Sequence, residues 1–433
     1  MPPVLEDGQM KTVTDLIKNT PVPQVVRVRQ NFDRTCIPDP ELPAVLRREL
    51  EKFRQTVFPG MRLAITCGSR GIHSYAQMVK TMIDFFREAG AEPFIVAAMG
   101  SHGGATSEGQ RQILADYGIT EEAMGCPVKC DMETVEIGKS TIRGRPVHID
   151  KNAAEADGIF LFNRIKPHTS FRGKYESGLM KMMAIGLGKQ KGASDIHGQS
   201  PAIMHELVEE YGRTILENCP VLGGVAVIEN SYDDIWKITG LTPEEIITEE
   251  PKLKEESYGT IARLLFDKCD VLVVDKIGKN ISGDGMDPNV SGRFCTQYAS
   301  GGIQAEKVVI LDLTDETHGN AQGVGLADVT TRRLFDKMKF EMTYPTGVTN
   351  TFLHLMKIPM VMDNDREALQ LALCCCPEAE DQENKKLIRI PDTAHIEYIE
   401  VSVGMLPMVR QNPMLEVVSE PYDLPFDGSG NLF

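Results

Sequence analysis

Residues 62–100, RLAITCGSRGIHSYAQMVKTMIDFFREAGAEPFIVAAMG, contain the pattern that decides the fold. A short apolar strand at 62–66 runs into the turn CGSRG, and apolar residues at helical spacing then continue until Gly90, a typical helix-ending residue. A second apolar strand, EPFIVAAMG, leads into the loop SHGGATSEG and another helix, QRQILADYG. Strands that alternate with helices of this length predict a parallel, doubly wound sheet.

The same alternation begins again near residue 268. The segment CDVLVVDKIGKNISGDGMDPNVSGR is a buried strand followed by a glycine-rich loop, and EKVVILDLT is a further strand. We therefore predict an α/β fold of two α/β domains, with the active site at their interface. The larger, N-terminal parallel-sheet domain covers residues 1–267 and the smaller C-terminal domain covers 268–433. An acidic amphipathic helix is predicted over 243–266, and its charged segment at 252–256 is the candidate linker.

Composition and charge exclude several classes of function. The net charge of −16 and the pI near 5.1 argue against a nucleic-acid partner, because such binding relies on Lys and Arg contacts to phosphates. The N-terminus lacks the basic and apolar regions of a signal peptide, and no apolar stretch reaches the length of a membrane span. The ten cysteines have neither disulfide-framework nor zinc-ribbon spacing. We expect a soluble, cytoplasmic protein without a membrane partner.

Three strand-end loops carry the first candidate site residues. Arg70 lies in CGSRG, His102 in GSHGGAT and His168 in NRIKPH, and ligands of parallel sheets gather at the carboxyl ends of strands. Arg70 could hold a carboxylate with two hydrogen bonds, and Ser69 could present its hydroxyl to a phosphate. The loop of His102, taken alone, is equally compatible with an ordinary surface turn, and Arg70 alone fits a surface arginine in a turn better than a binding residue.

The segment NRIKPHTSFRGKYESGLMKMMAIGLGKQKGASDIHG, residues 163–198, raises a separate question. Pro167 favours an extended backbone before it, which predicts that His168 lies in a loop. Lys181 stands among methionines that are candidate core residues, so its amine either extends to solvent or is desolvated and becomes a nucleophile. His197 follows a glycine-broken stretch and, by itself, could be an ordinary partnered histidine.

A polar, glycine-rich loop marks the second half of the chain. It offers Lys279, Asp284 and Arg293 after a buried strand, and such a loop could close over a site. A loop without a role in binding is the alternative.

Taken together, these motifs resemble the nickel-dependent lactate racemase family. The resemblance covers most of the chain and is clearest over residues 62–198. CGSR resembles the family's Asp-x-Thr-Arg turn and keeps Arg70, although Cys67 stands in place of the acid. GSHGGAT matches a Gly-x-His loop and KPHTSF a Pro-His segment. SGLMK resembles the family's Ser-Gly-Gly-x-Lys segment, and the family's spacing from that lysine leads to His197.

The resemblance implies a cofactor and its attachment. Lys181 would tether a nickel-pincer nucleotide, which other cofactor-synthesis enzymes make, and His197 would ligate the nickel. Ser69 is a further candidate for cofactor binding. A square-planar nickel with sulfur donors and an imidazole agrees with the general preferences of that metal.

The resemblance also implies a reaction, the inversion of C2 in a 2-hydroxy acid. His102 and His168 would flank the substrate as acid and base while hydride passes to the cofactor and back. Arg70, Lys279 and Arg172 would bind the substrate. The interval between His168 and Lys181 is longer than in the lactate enzymes, and its charged insert at 172–176 predicts a substrate larger than lactate, such as a sugar acid.

Two other classes of function fit the same residues. One is a cofactor-independent lyase or isomerase of hydroxy acids that abstracts a proton with His102 or His168. The other is a sugar-acid-binding protein that has the fold without the chemistry.

Overall fold

The computed structural model describes residues 11–381 and 384–433, which form two compact units. One unit is Asp33–Ile261. The other consists of Ala262–Phe433 and the described residues that precede Asp33. Each unit combines a large sheet that contains parallel strands with helices, which confirms the predicted class of two α/β domains.

The strands alternate with helices along much of the chain. In chain order they are β1 (Val25–Gln30), β2 (Arg62–Cys67), β3 (Glu92–Ala97), β4 (Val128–Lys129), β5 (Thr134–Lys139), β6 (Pro146–Asp150), β7 (Gly158–Arg164), β8 (Val221–Glu229), β9 (Ile235–Leu241), β10 (Lys268–Ile277), β11 (Gln304–Leu313), β12 (Val329–Thr331), β13 (Met360–Met362), β14 (Leu387–Ile390), β15 (Tyr398–Ser402) and β16 (Leu415–Val417).

The helices include a π-helical turn, Met182–Leu187, between the helices Leu179–Lys181 and Lys189–His197. Among the described residues, none of the helices has both the length and the apolar character needed to cross a bilayer. The α-helices are α1 (Lys11–Ile17), α2 (Leu42–Leu50), α3 (Tyr75–Glu88), α4 (Ser107–Asp116), α5 (Glu121–Met124), α6 (Lys151–Ala154), α7 (Leu179–Lys181), α8 (Lys189–His197), α9 (Met204–Asn218), α10 (Pro243–Thr248), α11 (Glu250–Ser257), α12 (Pro288–Ser291), α13 (Arg332–Lys337), α14 (Phe340–Asn350), α15 (Asp365–Cys374) and α16 (Leu406–Gln411).

The Asp33–Ile261 unit is built on a six-stranded sheet with the order β4-β3-β2-β7-β8-β9. Its strands are parallel except for β9, which pairs antiparallel with β8. Apolar residues cover both faces: Ala64 and Leu161 belong to one buried cluster, whereas Leu63 and Ile65 belong to the other. Burial on both faces is the reason that these strands read as continuous apolar runs in the sequence.

The second unit contains an eight-stranded mixed sheet with the order β13-β12-β11-β10-β14-β15-β1-β16. Strand β1 pairs antiparallel with both β15 and β16, so the observed unit differs from the predicted first domain of residues 1–267. Strand β1 is paired with strands far along the chain; Val28, for example, lies opposite Ile399 of β15. A periodicity of apolar residues predicts a strand but does not identify its partner.

The charged segment at 252–256 is not a linker, and that prediction was wrong. It lies inside α11, where Leu253 and Lys254 are buried. The predicted helix over 243–266 is instead two consecutive helices, α10 and α11, and the chain is no longer helical beyond Tyr258. Lys254 can be buried because its amine has acceptors: the carbonyl oxygen of Gly173 at 3.0 Å and the carboxylate of Glu176 at 3.7 Å.

Candidate active site

Three neighbouring strands bring the predicted loops to one edge of the six-stranded sheet. Strands β3, β2 and β7 are adjacent and parallel, so their carboxyl ends point the same way. Arg70 follows β2, His102 follows β3 and His168 follows β7. The arrangement agrees with the general position of ligand sites in parallel sheets.

The helical segment 179–197 packs against these strand ends through glycines. A Cβ atom added to Gly68 would lie 3.3 Å from Cε of Met182, and one added to Gly186 would lie 2.7 Å from the carbonyl oxygen of Ala98. A side chain at Gly186 would meet the backbone of Ala98 and push the segment away from the loop that follows β3. Met180, Met183, Ile185 and Leu187 of the same segment are buried, as predicted.

Ser69 and His102 are directly linked across two loops. The hydroxyl of Ser69 forms a short hydrogen bond with Nδ1 of His102. His102 directly precedes a 3₁₀ turn, Gly103–Ala105. Gly103 has a φ of +67°, and a Cβ atom added to it would lie 2.6 Å from the backbone nitrogen of Gln110. The contact with Ser69 orients the imidazole of His102.

His168 and Lys181 form a second linked pair. Nε2 of His168 lies 2.5 Å from Nζ of Lys181, while Nδ1 accepts a hydrogen bond of 3.0 Å from the amide of Ser170. The ring also stacks on Phe171, with the two ring centroids 4.2 Å apart. His168 is thus held on both nitrogens and on one face.

Burial and neighbouring cations shift the pKa values of three groups toward their uncharged forms. Burial, with Lys166 and Arg70, lowers the pKa of Lys181 from 10.5 to about 7. Burial, reinforced by Lys181, lowers the pKa of His168 well below its ordinary value of 6.5. Burial also lowers the pKa of His197 to about 4. Near neutral pH the site therefore offers two uncharged imidazoles and an amine that is partly uncharged.

His197 ends α8 and supplies a neutral imidazole, the form in which histidine ligates metals. Within residues 11–381 and 384–433, no group of three or more His, Cys, Asp and Glu side chains is placed to hold a metal ion.

The predicted substrate-binding residues lie in different surroundings. Arg70 is exposed and acts electrostatically on Lys181. Arg172 is partly buried, and its Nη1 donates to the carbonyl oxygens of His168 and Phe171. Lys279 belongs to the other unit, where its Nζ donates to the carbonyl oxygen of Gly283 at 2.8 Å. The described contacts thus relate Arg70 and Arg172 to the Lys181 and His168 pair.

Two charged residues near the site were not singled out from the sequence. Lys166 lowers the pKa of both Lys181 and His168, and Glu176 is buried with its carboxylate accepting the amide hydrogen of His168 at 2.7 Å. The sequence signal that could have identified Lys166 is its position two residues before His168. Nothing in the local sequence marks Glu176 as buried.

Comparison with known proteins relates this part of the chain to one family. Residues 38–206 match a family described as "Lactate racemase N-terminal domain". Among solved structures, the chain is similar to the lactate racemase apoprotein from Thermoanaerobacterium thermosaccharolyticum, with a TM-score of 0.50 and 13% sequence identity. That match covers 86% of this chain and 98% of the other, and at this identity it shows the fold alone. No curated protein matches the chain. The predicted resemblance to the lactate racemase family is confirmed.

Proposed function

We propose that this protein is a racemase or epimerase that inverts C2 of a 2-hydroxy acid, because residues 38–206 match the lactate racemase N-terminal domain family. The observation that carries the proposal is the hydrogen-bonded pair of Lys181 and His168, with the pKa of the lysine lowered to about 7. A structural lysine needs no such environment, whereas a lysine that must form a covalent bond does.

His102 and His168 are the proposed acid and base. Inversion requires proton transfer at the substrate hydroxyl on either face of the substrate. Two acid–base groups are therefore needed, whereas a reaction on one face needs only one. His102 follows β3 and His168 follows β7, the two strands that flank β2 in the sheet. Each ring has its Nδ1 engaged, by Ser69 in His102 and by the amide of Ser170 in His168. In each ring Nε2 is the nitrogen that would face the substrate.

The residues fit a nickel-pincer nucleotide. The amine of Lys181 is uncharged above about pH 7 and could form the covalent tether, and the neutral imidazole of His197 could ligate nickel whose other donors come with the cofactor. When bound, this group would supply reversible hydride transfer at C2, which avoids a carbanion. Enzymes that synthesise the cofactor are therefore proposed partners in maturation.

Attachment through Lys181 would also change His168. The positive charge of Lys181 is among the causes that lower the pKa of His168, so conversion of the amine to an uncharged linkage would raise that pKa toward its ordinary range. The same conversion would end the amine's competition for Nε2. His168 would then be a better proton acceptor in the loaded protein than in the apoprotein.

Arg70 is the proposed partner of the substrate carboxylate. It follows β2, next to the strand that precedes His168, and its electrostatic effect on Lys181 indicates that the two cations are neighbours. An anion bound there would offset their repulsion. Lys279 and Arg172 remain predicted substrate contacts, and a substrate larger than lactate, such as a sugar acid, remains our prediction.

The proposal is tested by expressing the protein together with cofactor-synthesis enzymes. We expect nickel bound to the purified protein and an added mass on the peptide that contains Lys181, both absent from a Lys181→Ala variant. Incubation with a panel of single-enantiomer 2-hydroxy acids, followed by chiral chromatography, would identify the substrate. The proposal would be refuted if protein expressed with these enzymes carried neither nickel nor added mass on Lys181.

A further inference from the structure

One side of helix α11 contacts the chain segment that carries both His168 and Lys181. Glu250, Lys254 and Tyr258 are spaced four residues apart at this helix and its C-terminal end, so they lie on the same side. All three bond to residues between 168 and 181. We call these three residues the α11 stripe.

Glu176 is the centre of the contacts near His168. Its side chain is fully buried, and its carboxylate accepts the His168 amide hydrogen at 2.7 Å and the Tyr258 hydroxyl hydrogen at 2.9 Å. Lys254 stands 3.7 Å away and Arg172 3.4 Å away, so two cations balance the buried negative charge. The carboxylate thus connects the backbone of His168 to the α11 stripe.

Glu250 connects the α11 stripe to the backbone at the other end of the 168–181 segment, near Lys181. Its buried carboxyl group accepts the amide hydrogens of Leu179, at 3.0 Å, and Met180, at 3.2 Å, which begin the helix of Lys181. Asn163 donates to the carbonyl oxygen of Gly178 at 2.8 Å and holds the residue just before. The start of this helix is therefore tied to α11 and to the end of β7.

The charged insert at 172–176 belongs to this arrangement. Lys254 donates to the carbonyl oxygen of Gly173, Tyr175 is buried with its hydroxyl bonded to the carbonyl oxygen of Ile247, and Arg172 bonds back to His168. The prediction that this insert determines substrate identity stays a prediction. In the structure, the insert bonds to α10, to α11 and to the loop's own backbone.

We infer that the α11 stripe and Glu176 form a positioning device that holds His168 and Lys181 at the separation their chemistry requires. The role of those two residues rests on the proposed function, but the contacts do not. None of the stripe residues is itself proposed to touch substrate or cofactor. They are positioning residues, and a small displacement of the groups they hold is expected to affect the rate more than binding.

The test compares Glu176→Gln and Lys254→Met with Lys252→Met, and Glu250→Ala with Glu249→Ala. Lys252 and Glu249 lie on or beside the same helix and pair with each other on its surface, where their side chains are 67% and 42% exposed. Hydrogen exchange of the apoprotein measures how firmly the segment 168–181 is held. Steady-state kinetics of the loaded protein separates kcat from KM.

In the apoprotein we expect faster exchange at 168–173 in Glu176→Gln and Lys254→Met, and at 179–181 in Glu250→Ala, with no change in the two controls. In the loaded protein we expect kcat to fall about 10- to 100-fold with KM almost unchanged. In the double variant Glu176→Gln and Lys254→Met, kcat should fall less than the two single effects combined would predict. The double variant removes both the buried carboxylate and its lysine partner.

Folded Glu176→Gln protein with unchanged exchange over 168–181 would overturn the inference. So would faster exchange accompanied by an unchanged kcat, since the contacts would then be structural only. If the loaded wild-type protein inverts no 2-hydroxy acid, the proposed function fails, and the exchange measurement on the apoprotein still decides whether α11 holds the segment.

Discussion

Nζ of Lys181 lies 2.5 Å from Nε2 of His168, in a site where burial and neighbouring cations favour the uncharged form of both groups. The two residues were predicted to have separate tasks, one at the cofactor and one at the substrate. Because the two groups are in direct contact, a covalent change at Lys181 would alter both the hydrogen bonding and the pKa of His168. Several expected outcomes depend on this contact and on the bonds around it.

The reactivity of Lys181 should depend on pH in an unusual range. An amine is unreactive while it is protonated. Because the pKa of Lys181 is lowered from 10.5 to about 7, modification should appear as the pH rises through about 7. The measurement is the rate of acylation of apoprotein at a series of pH values, quantified on the Lys181 peptide by mass spectrometry. Exposed Lys252 serves as the internal control. A midpoint for Lys181 no lower than that of Lys252 would contradict the account.

Replacement of His168 should remove catalysis and leave the fold intact. His168→Gln is expected to lower kcat about 10²- to 10⁴-fold, the usual contribution of a general acid or base. His395→Gln is the matched control, because that histidine is 77% exposed and pairs with Asp392 in the other unit. Chiral chromatography of the substrate enantiomers gives both rates, and equal activity of the two variants would argue against the role of His168.

Ser69 should act through His102. Ser69→Ala removes the partner of Nδ1, and since a hydrogen bond of this kind contributes about 0.5–1.5 kcal/mol, kcat should fall by up to about 10-fold with little change in KM. If Ser69 instead binds the cofactor phosphate, the variant should purify with less cofactor. Nickel content measured beside the kinetics distinguishes the two roles.

Nickel binding should require His197. After expression with the cofactor-synthesis enzymes, His197→Ala is expected to contain much less nickel than wild-type protein, because the variant lacks the neutral imidazole that is the proposed nickel ligand. Elemental analysis gives the metal content, and His395→Ala should resemble wild type. Full nickel occupancy in His197→Ala would remove this residue from the metal site.

A buried lysine should stabilise the loop of His102. Lys189 is fully buried, lies 3.2 Å from Asp150, and bonds to Gln110, whose amide donates to the carbonyl oxygen of His102. Lys189→Met leaves the buried carboxylate unpaired and should lower the free energy of unfolding by about 3–5 kcal/mol. Denaturation by urea measures the loss. The exposed ion pair between Lys252 and Glu249 should contribute at most about 1 kcal/mol to the free energy of unfolding, so Lys252→Met is the control.

The sequence predicted those parts of the fold that depend on local pattern. Helix α3 and its end near Gly90, the strands β2 and β3, and the loops that follow them are read directly from apolar spacing and glycine positions. The place of Arg70, His102 and His168 after strands follows from the same pattern. Local spacing is sufficient here because each element is continuous in the chain.

The remainder depends on contacts between distant parts of the chain. Charge made the segment at 252–256 resemble a linker, since the burial of Lys254 depends on Glu176, far away in sequence. Strand β1 could be predicted as a strand, but its pairing with β15 could not. For the same reason the hydrogen bond between His168 and Lys181 had no counterpart in the sequence analysis.

The most direct test of the central claim uses a 2-hydroxy acid of one configuration that carries deuterium at C2. Loaded protein is incubated with the labelled substrate, and the two enantiomers are separated by chiral chromatography and weighed by mass spectrometry. The account predicts that the opposite enantiomer appears with its deuterium retained, and that His168→Gln suppresses it. Loss of the label to solvent would instead indicate proton abstraction at C2, and no inversion of any 2-hydroxy acid tested would contradict the proposed function itself.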